Sequence, residues 1–185
     1  MGKVGFVFAG QGARCAGMGK SLYESSPAAR AALDEAERLR PGLLDLCFSG
    51  EKDALSQTRN TQPCVFLVDL AAALALEEGG VTPDMCAGFS LGELAALSFA
   101  GAMSQEDGFR LVCRRAALMQ EAAEAEDSAM AAVLKLEADE VERLCRRYAR
   151  VYPVNYNSPG QLVVSGAREE LTLFLQEVKA AGGRA

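Results

Sequence analysis

The stretch Cys86-Ala87-Gly88-Phe89-Ser90-Leu91-Gly92-Glu93-Leu94 constrains this chain more than any other. A few apolar residues lead into Gly88-Phe89-Ser90-Leu91-Gly92, and a small-residue helix from Leu91 to about Ala100 leads out of it. Strand, abrupt Gly-x-Ser-x-Gly turn and helix together form the nucleophile-elbow pattern. Glycine is required on both sides of the serine because the turn is tight and neighbouring backbone passes close by. Ser90 is placed at the apex, at a helix N-terminus whose first amides point towards any developing oxyanion. The same five residues would also suit a plain turn with a capping serine. A serine hydroxyl becomes a useful nucleophile only when a base takes its proton. The usual base is histidine, and the chain contains none.

Bulk properties exclude several classes. The formal charge of −6 is the wrong sign for nucleic-acid binding, which needs clustered basic surface. No run approaches the ~18 apolar residues of a membrane span, and the apolar segment Val4–Ala9 is too short for a signal peptide. The six cysteines are scattered without a Cys-x-x-Cys pair, so neither a zinc site nor a disulfide framework is expected. That usage fits a reducing compartment, the cytoplasm. A chain half hydrophobic, poor in aromatics and rich in Ala, Leu and Val suits an α/β fold.

Along the chain, Lys3–Phe8 reads as a buried strand ending in Gly10-Gln11-Gly12. A dinucleotide fingerprint would need glycine where Cys15 stands, so that reading is rejected. Ser26-Pro27 caps and opens a helix to about Leu39, and Pro41-Gly42 stops it. Leu43–Phe48 and Asp53–Gln57 are ambiguous. Thr61-Gln62-Pro63 opens a long helix that is apolar nearly all round, hence buried, and Gly79-Gly80 closes it. Asp84–Ala87 is the strand feeding Ser90. Ser104-x-x-Asp107 starts a helix reaching about Ala125, which carries Arg110, Arg114 and Arg115. These arginines suit a solvated face, although Arg115 lies near apolar Leu118 and Met119. Beyond residue 127 the order becomes strand (129–136), helix (138–149), two strands (151–156 and 161–165) around Asn157-Ser158-Pro159-Gly160, and helix (167–181). That is a ferredoxin-like split βαβ unit short of its last strand. On topology the chain reads as truncated.

Six collinear segments carry a family resemblance: Gly10-Gln11-Gly12, Thr61-Gln62-Pro63, Gly88-x-Ser90-Leu91-Gly92-Glu93, Arg115 with Met119-Gln120, Ala129-Met130-Ala131-Ala132, and Asn157-Ser158-Pro159-Gly160-Gln161. Together they make the chain similar to the malonyl-CoA:acyl carrier protein transacylases of fatty acid and polyketide synthesis. The resemblance implies an α/β hydrolase-like large subdomain with a parallel sheet, incomplete here (residues 1–127). It also implies an inserted ferredoxin-like small subdomain (residues 128–185). The implied reaction moves a malonyl group from coenzyme A to the phosphopantetheine thiol of acyl carrier protein through a serine acyl-enzyme. Ser90 is then the nucleophile, and the backbone amides of Gln11 and Leu91 are the oxyanion hole. Arg115 holds the malonyl carboxylate, with Gln62, Met119 and Asn157 as further substrate contacts. Malonyl-CoA is a substrate, acyl carrier protein is the partner, and neither a cofactor nor a metal is expected. Two departures stand out: Phe89 occupies the position where the family usually has histidine, and the family's catalytic histidine falls beyond Ala185. The chain then corresponds to roughly three-fifths of such an enzyme, judged against typical large α/β domain lengths. Two other readings compete. A patatin-like lipid hydrolase uses a Ser–Asp dyad, but the sole Asp-Gly, Asp107-Gly108, lies close to Ser90. The other is a non-catalytic fragment that only binds carrier protein.

Overall fold

Strand β1 (Gly5–Phe8) pairs in parallel with the strand that feeds the Gly88 turn, so that Gly5 lies opposite Met85 and Phe8 opposite Gly88. These elements come from a computed structural model that describes residues 2–185. The ladder starts at Gly5 and not at Lys3 because Asp84 intervenes: its carboxylate accepts the Val4 N–H at 2.7 Å while its own N–H donates to the Val4 carbonyl at 2.8 Å. A 3₁₀ turn, Gln11–Ala13, follows β1.

Helix α1 (Lys20–Ser25) was not legible in the sequence; its six residues carry no apolar periodicity. Helix α2 (Pro27–Leu39) starts where the Ser-Pro signal put it, with Ser26 Oγ accepting the Ala29 N–H at 3.1 Å. The two ambiguous segments are short helices, α3 (Leu43–Ser49) and α4 (Lys52–Ser56). Glu37 on α2 accepts the N–H groups of Gly42 and Leu44 at 2.6 and 2.8 Å, which satisfies the free amides at the start of α3.

Helix α5 (Thr58–Glu78) begins three residues before the Thr61 that the sequence marks as its opening, so Pro63 lies inside it. An interior proline costs a hydrogen bond and orphans the carbonyl four residues earlier, here that of Arg59. The Arg40 guanidinium donates to that carbonyl at 2.9 Å and to Asn60 Oδ1 at 2.6 Å, which replaces the missing amide. The helix is buried as expected: Cys64, Phe66, Leu67 and Leu70 join Leu33 of α2 and Leu43 and Cys47 of α3 in one core. Strand β2 (Met85–Gly88), helix α6 (Leu91–Phe99) and helix α7 (Gln105–Ala125) follow. Ser104 Oγ caps α7 by accepting the Asp107 N–H at 3.0 Å, as the capping pattern predicts.

The chain divides into two compact units, the first ending at Glu121 within α7. In the second unit β3 (Ser128–Leu134), α8 (Ala138–Cys145), β4 (Val151–Ser158), β5 (Gln161–Ala167) and α9 (Arg168–Ala180) form a three-stranded antiparallel sheet, order β3-β5-β4, with two helices. Both helices bury apolar residues against one sheet face, where Val133, Val164, Leu144 and Phe174 meet. Pro153 and two register shifts fall on β4, an edge strand in this order, where a missing N–H costs least. The outer edge of β3 carries a bridge to Arg184, with both backbone bonds made at 2.7 and 2.9 Å. The protein is thus α/β, with a parallel and an antiparallel sheet.

Cys47, Cys64 and Cys145 are buried core residues, Cys86 and Cys113 are half-buried, and Cys15 is exposed. Among the described residues no helix is long and apolar enough to cross a membrane.

Candidate active site

The Gly88–Gly92 turn is built from backbone packed on backbone. A Cβ on Gly88 would lie 2.1 Å from the Gly92 carbonyl carbon, and one on Gly92 would lie 2.2 Å from the Phe8 carbonyl oxygen. No side chain fits at either position. Between them Ser90 adopts φ 54° and ψ −104°, a conformation that costs a non-glycine residue about 1–3 kcal/mol. The surroundings impose it: Phe89 N–H donates to the Phe8 carbonyl at 3.0 Å, and Gly92 N–H returns to the Phe89 carbonyl at 3.0 Å. Ser90 is therefore lifted out of the strand and immediately precedes the first residue of α6. Among the described residues no side chain hydrogen-bonds its hydroxyl.

The Gln11 turn approaches the same place. A Cβ on Gly10 would lie 2.8 Å from the Phe89 ring and 3.2 Å from the Phe89 carbonyl, so this loop lies against the elbow. The centre of the arrangement is Gln62. Its side chain is fully buried, and both ends of its amide are satisfied. Nε2 donates to Gln11 Oε1 at 3.0 Å and to Met119 Sδ at 3.2 Å, while Oε1 accepts Arg115 Nη1 at 2.6 Å. A buried amide with every partner present is rigid, because breaking any one bond leaves a desolvated polar atom. Gln62 thus ties the β1 turn to α7. Its neighbour Pro63 keeps its place through the Arg40 cap described above.

Arg115 is half-buried and faces an open cavity of about 610 Å³ that Ser90, Glu93, Arg114, Leu118 and Met119 also line. Four sequence-derived positions, Gln11, Gln62, Arg115 and Met119, are therefore linked by direct contacts, and Ser90 shares the cavity with two of them. Leu91 N–H stands at the start of α6, directly after Ser90. Asn157 lies exposed on β4 of the second unit, beside a register shift. Two polar cavity residues were missed as site residues. Glu93 was visible inside the elbow motif, whereas Arg114 had no signal separating it from a solvated helix face. Asp107 and Gly108 occupy the first turn of α7, where Asp107 accepts the Ser104 hydroxyl at 2.7 Å; neither lines the cavity of Ser90, and a Ser–Asp dyad has no support there.

One further buried acid was not anticipated. Asp69 on α5 borders a cavity of about 220 Å³ along the edge of β1 opposite β2. Its Oδ2 is buried without a partner. Burial pushes its pKa up to about 7, against a smaller opposing effect of the Ala9 N–H. Unfolded aspartate titrates near 3.9. Between these values the folded chain holds a proton the unfolded chain has lost, so stability falls as pH rises from about 4 to about 7. Asp69→Asn is expected to stabilise the chain by about 1–2 kcal/mol at pH 8, allowing for partial exposure, with the gain vanishing towards pH 4. Urea denaturation across that range checks it; a gain independent of pH would refute the titration.

Residues 5–185 match the family described as the acyl transferase domain. The chain belongs to this acyl transferase family. Over its whole length it is 39% identical to the malonyl CoA-acyl carrier protein transacylase of Bacillus subtilis and 34% identical to that of Staphylococcus aureus. It spans 60% and 61% of those two proteins. Among solved structures, the malonyl CoA-acyl carrier protein transacylase of Clostridium perfringens superposes with a TM-score of 0.92 at 37% identity, covering 99% of this chain and 59% of that one. A type II PKS acyl-carrier protein in complex with its malonyl-transacylase gives a TM-score of 0.92 at 34% identity, covering 99% of this chain and 61% of that one.

Proposed function

We propose that this acyl transferase chain carries the nucleophile and acyl pocket of a malonyl-CoA:acyl carrier protein transacylase. The observation that carries the reading is the Gln62 network, because it places an arginine in the cavity of an elbow serine with no competing carboxylate bonded to it. Ser90 Oγ attacks the malonyl thioester carbonyl of coenzyme A. Its proton leaves to a base, the C–S bond breaks, and coenzyme A departs as the thiol. The phosphopantetheine thiol of acyl carrier protein then takes the malonyl group from Ser90 and regenerates the hydroxyl. The Gln11 and Leu91 amides stabilise the oxyanion formed in each half-reaction. Arg115 binds the free carboxylate of the malonyl group as a charge-assisted pair, which selects dicarboxylic acyl groups over acetyl. Met119 walls the acyl pocket. The reaction needs no cofactor, since the acyl-CoA is itself the substrate. The first unit corresponds to part of an α/β hydrolase-like subdomain and the second to a ferredoxin-like one. The setting is cytoplasmic fatty acid or polyketide synthesis.

Acylation of Ser90, read by intact-protein mass spectrometry in concentrated imidazole as an added proton acceptor, tests the proposal. Malonyl-CoA should label wild type and leave Ser90→Ala unlabelled. Arg115→Ala should lose about 2–4 kcal/mol of transition-state stabilisation towards malonyl-CoA and almost none towards acetyl-CoA. Equal losses for both thioesters would make Arg115 a support of the fold and remove the selectivity argument.

A further inference from the structure

The turn that carries Gln11 borders a second cavity. Its volume is about 400 Å³, and Gly12, Arg14, Cys15, Lys52, Leu55 and Ser56 line it. Two cations face this space, and no carboxylate lines it. Most other arginines of the first unit are engaged: Arg30 and Arg40 donate to backbone carbonyls, Arg38 pairs with Glu35, Arg110 with Glu106, and Arg115 bonds Gln62, whereas Arg114 has no such partner among the described residues. The side chains of Arg14 and Lys52 make no ion pair and no hydrogen bond with any described residue. In a chain of net charge −6, two unpaired cations on one concave surface are a local reversal of sign. A cleft lined by charge of one sign concentrates its field and draws in counter-ions. Guanidinium and ammonium groups together suit a phosphate, the first through its fork of donors and the second as a point charge. Leu55 and Cys15 give the cavity an apolar wall beside the two charges, as a site for a ligand with an aliphatic arm requires.

Position supplies the connection to chemistry. Arg14 stands three residues after Gln11, across a single 3₁₀ turn that rises about 2 Å per residue. The cavity is therefore adjacent to the loop that lies against Phe89, the residue before Ser90. We infer that the Arg14–Lys52 cavity is a phosphate subsite for the pantetheine-type ligand whose acyl group reaches Ser90. This inference rests on the acyl-transfer reading and adds to it the residues that grip the distal end of the ligand.

Titration calorimetry of the 185-residue chain with four probes tests it: coenzyme A, 4′-phosphopantetheine, pantetheine and inorganic phosphate. Phosphate-bearing pantetheine ligands should bind about 10-fold more tightly than pantetheine, the size of one charge-assisted contact. The preference should shrink as salt rises. Arg14→Ala with Lys52→Ala should erase it without changing pantetheine binding, and Arg14→Lys with Lys52→Arg should retain most of it. Both residues are exposed, so the variants should keep the wild-type unfolding midpoint. A gain shared by coenzyme A and phosphopantetheine locates the phosphate next to the pantetheine arm. A gain confined to coenzyme A locates it on the nucleotide, and competition by inorganic phosphate at the same site supports either. Equal affinity for coenzyme A and pantetheine, or a preference that survives the double alanine variant, overturns the inference. The acyl-transfer reading is scored separately: Ser90 labelled in imidazole while the phosphate preference is absent sinks only the subsite. A phosphate preference that depends on Arg14 and Lys52, with Ser90 never labelled, sinks only the acyl-transfer reading.

Discussion

Incubated alone with malonyl-CoA, the chain is expected to acylate Ser90 on the order of 10⁶-fold more slowly than the same serine would react beside a hydrogen-bonded base. Nucleophile and base act as a unit, and removing one member costs nearly as much as removing both. The chain has no histidine, and no side chain bonds Ser90 among the described residues. The lysines give no substitute: Lys3, Lys20, Lys52, Lys135 and Lys179 do not line the cavity of Ser90. Glu93 does line it, but sits in the first turn of α6, where its N–H donates to the Ser90 carbonyl at 3.2 Å and its carboxylate makes no bond to the serine hydroxyl. Glu93→Gln should therefore leave the residual rate within about 3-fold, a negligible barrier change. On the proposed reading, the oxyanion hole and ligand binding are left, and these preserve a modest acceleration over water. Added imidazole should raise the labelling rate in proportion to its free-base concentration, because it supplies a proton acceptor. The time course of Ser90 mass labelling with and without imidazole decides the matter. Rapid stoichiometric labelling in its absence would mean that a base already stands beside Ser90.

Much of this site is written locally, and that is why it could be read. The elbow announces itself because two glycines and a serine at fixed spacing have one common physical cause, backbone passing against backbone. The start of α2 and the cap of α7 were legible for the same reason: Ser26 and Ser104 each satisfy the amide three residues on. Features that depend on distant partners were not. The start of α5 was misplaced because Pro63 looks like a first-turn proline. It is tolerated further inside only because Arg40, from the end of α2, replaces the lost donor. Thr61, read as part of the opening, instead turns its hydroxyl to the carbonyls of Leu55 and Gln57. β1 was drawn too long because nothing in Lys3-Val4 shows that Asp84 will take the Val4 N–H. The resemblance named Gln62, but its buried three-way role follows from no local pattern. Asp69 reads in the sequence as one charge on an otherwise apolar helix; only the fold shows that its Oδ2 is enclosed. Cavities share this property: Arg14 and Lys52 lie 38 positions apart and meet only in space.

The second large effect is expected at Gly92. Gly92→Ala should cost more than about 4 kcal/mol, enough to consume most of the stability of a marginal domain. The reason is the identity of the atoms it would strike. The new Cβ meets the Phe8 carbonyl oxygen at 2.2 Å, the Phe8 carbonyl carbon at 2.6 Å and the Ala9 carbonyl oxygen at 2.7 Å. All three are backbone, so no rotamer change relieves the contact, whereas overpacked side chains usually yield at about 1–3 kcal/mol. Relief requires moving α6 away from β1, and that motion opens the parallel pairing of β1 with β2. It also withdraws Leu91 N–H and Ser90 from the Gln11 turn. Gly88→Ala should behave similarly, since its Cβ meets Gly92 carbonyl carbon and oxygen and Glu93 nitrogen at 2.1–2.2 Å. The two costs should fall short of adding, because both substitutions wedge the same interface. Gly12→Ala supplies the control: no atom lies within 4 Å of its Cβ, and its φ is not in the left-handed region, so the change should stay within about 0.5 kcal/mol. Urea midpoints for the three variants, with near-ultraviolet circular dichroism to follow tertiary packing, read the difference. A Gly92→Ala chain with the wild-type midpoint would show that the β1–α6 contact is looser than these distances require, and the strained Ser90 would then need another support.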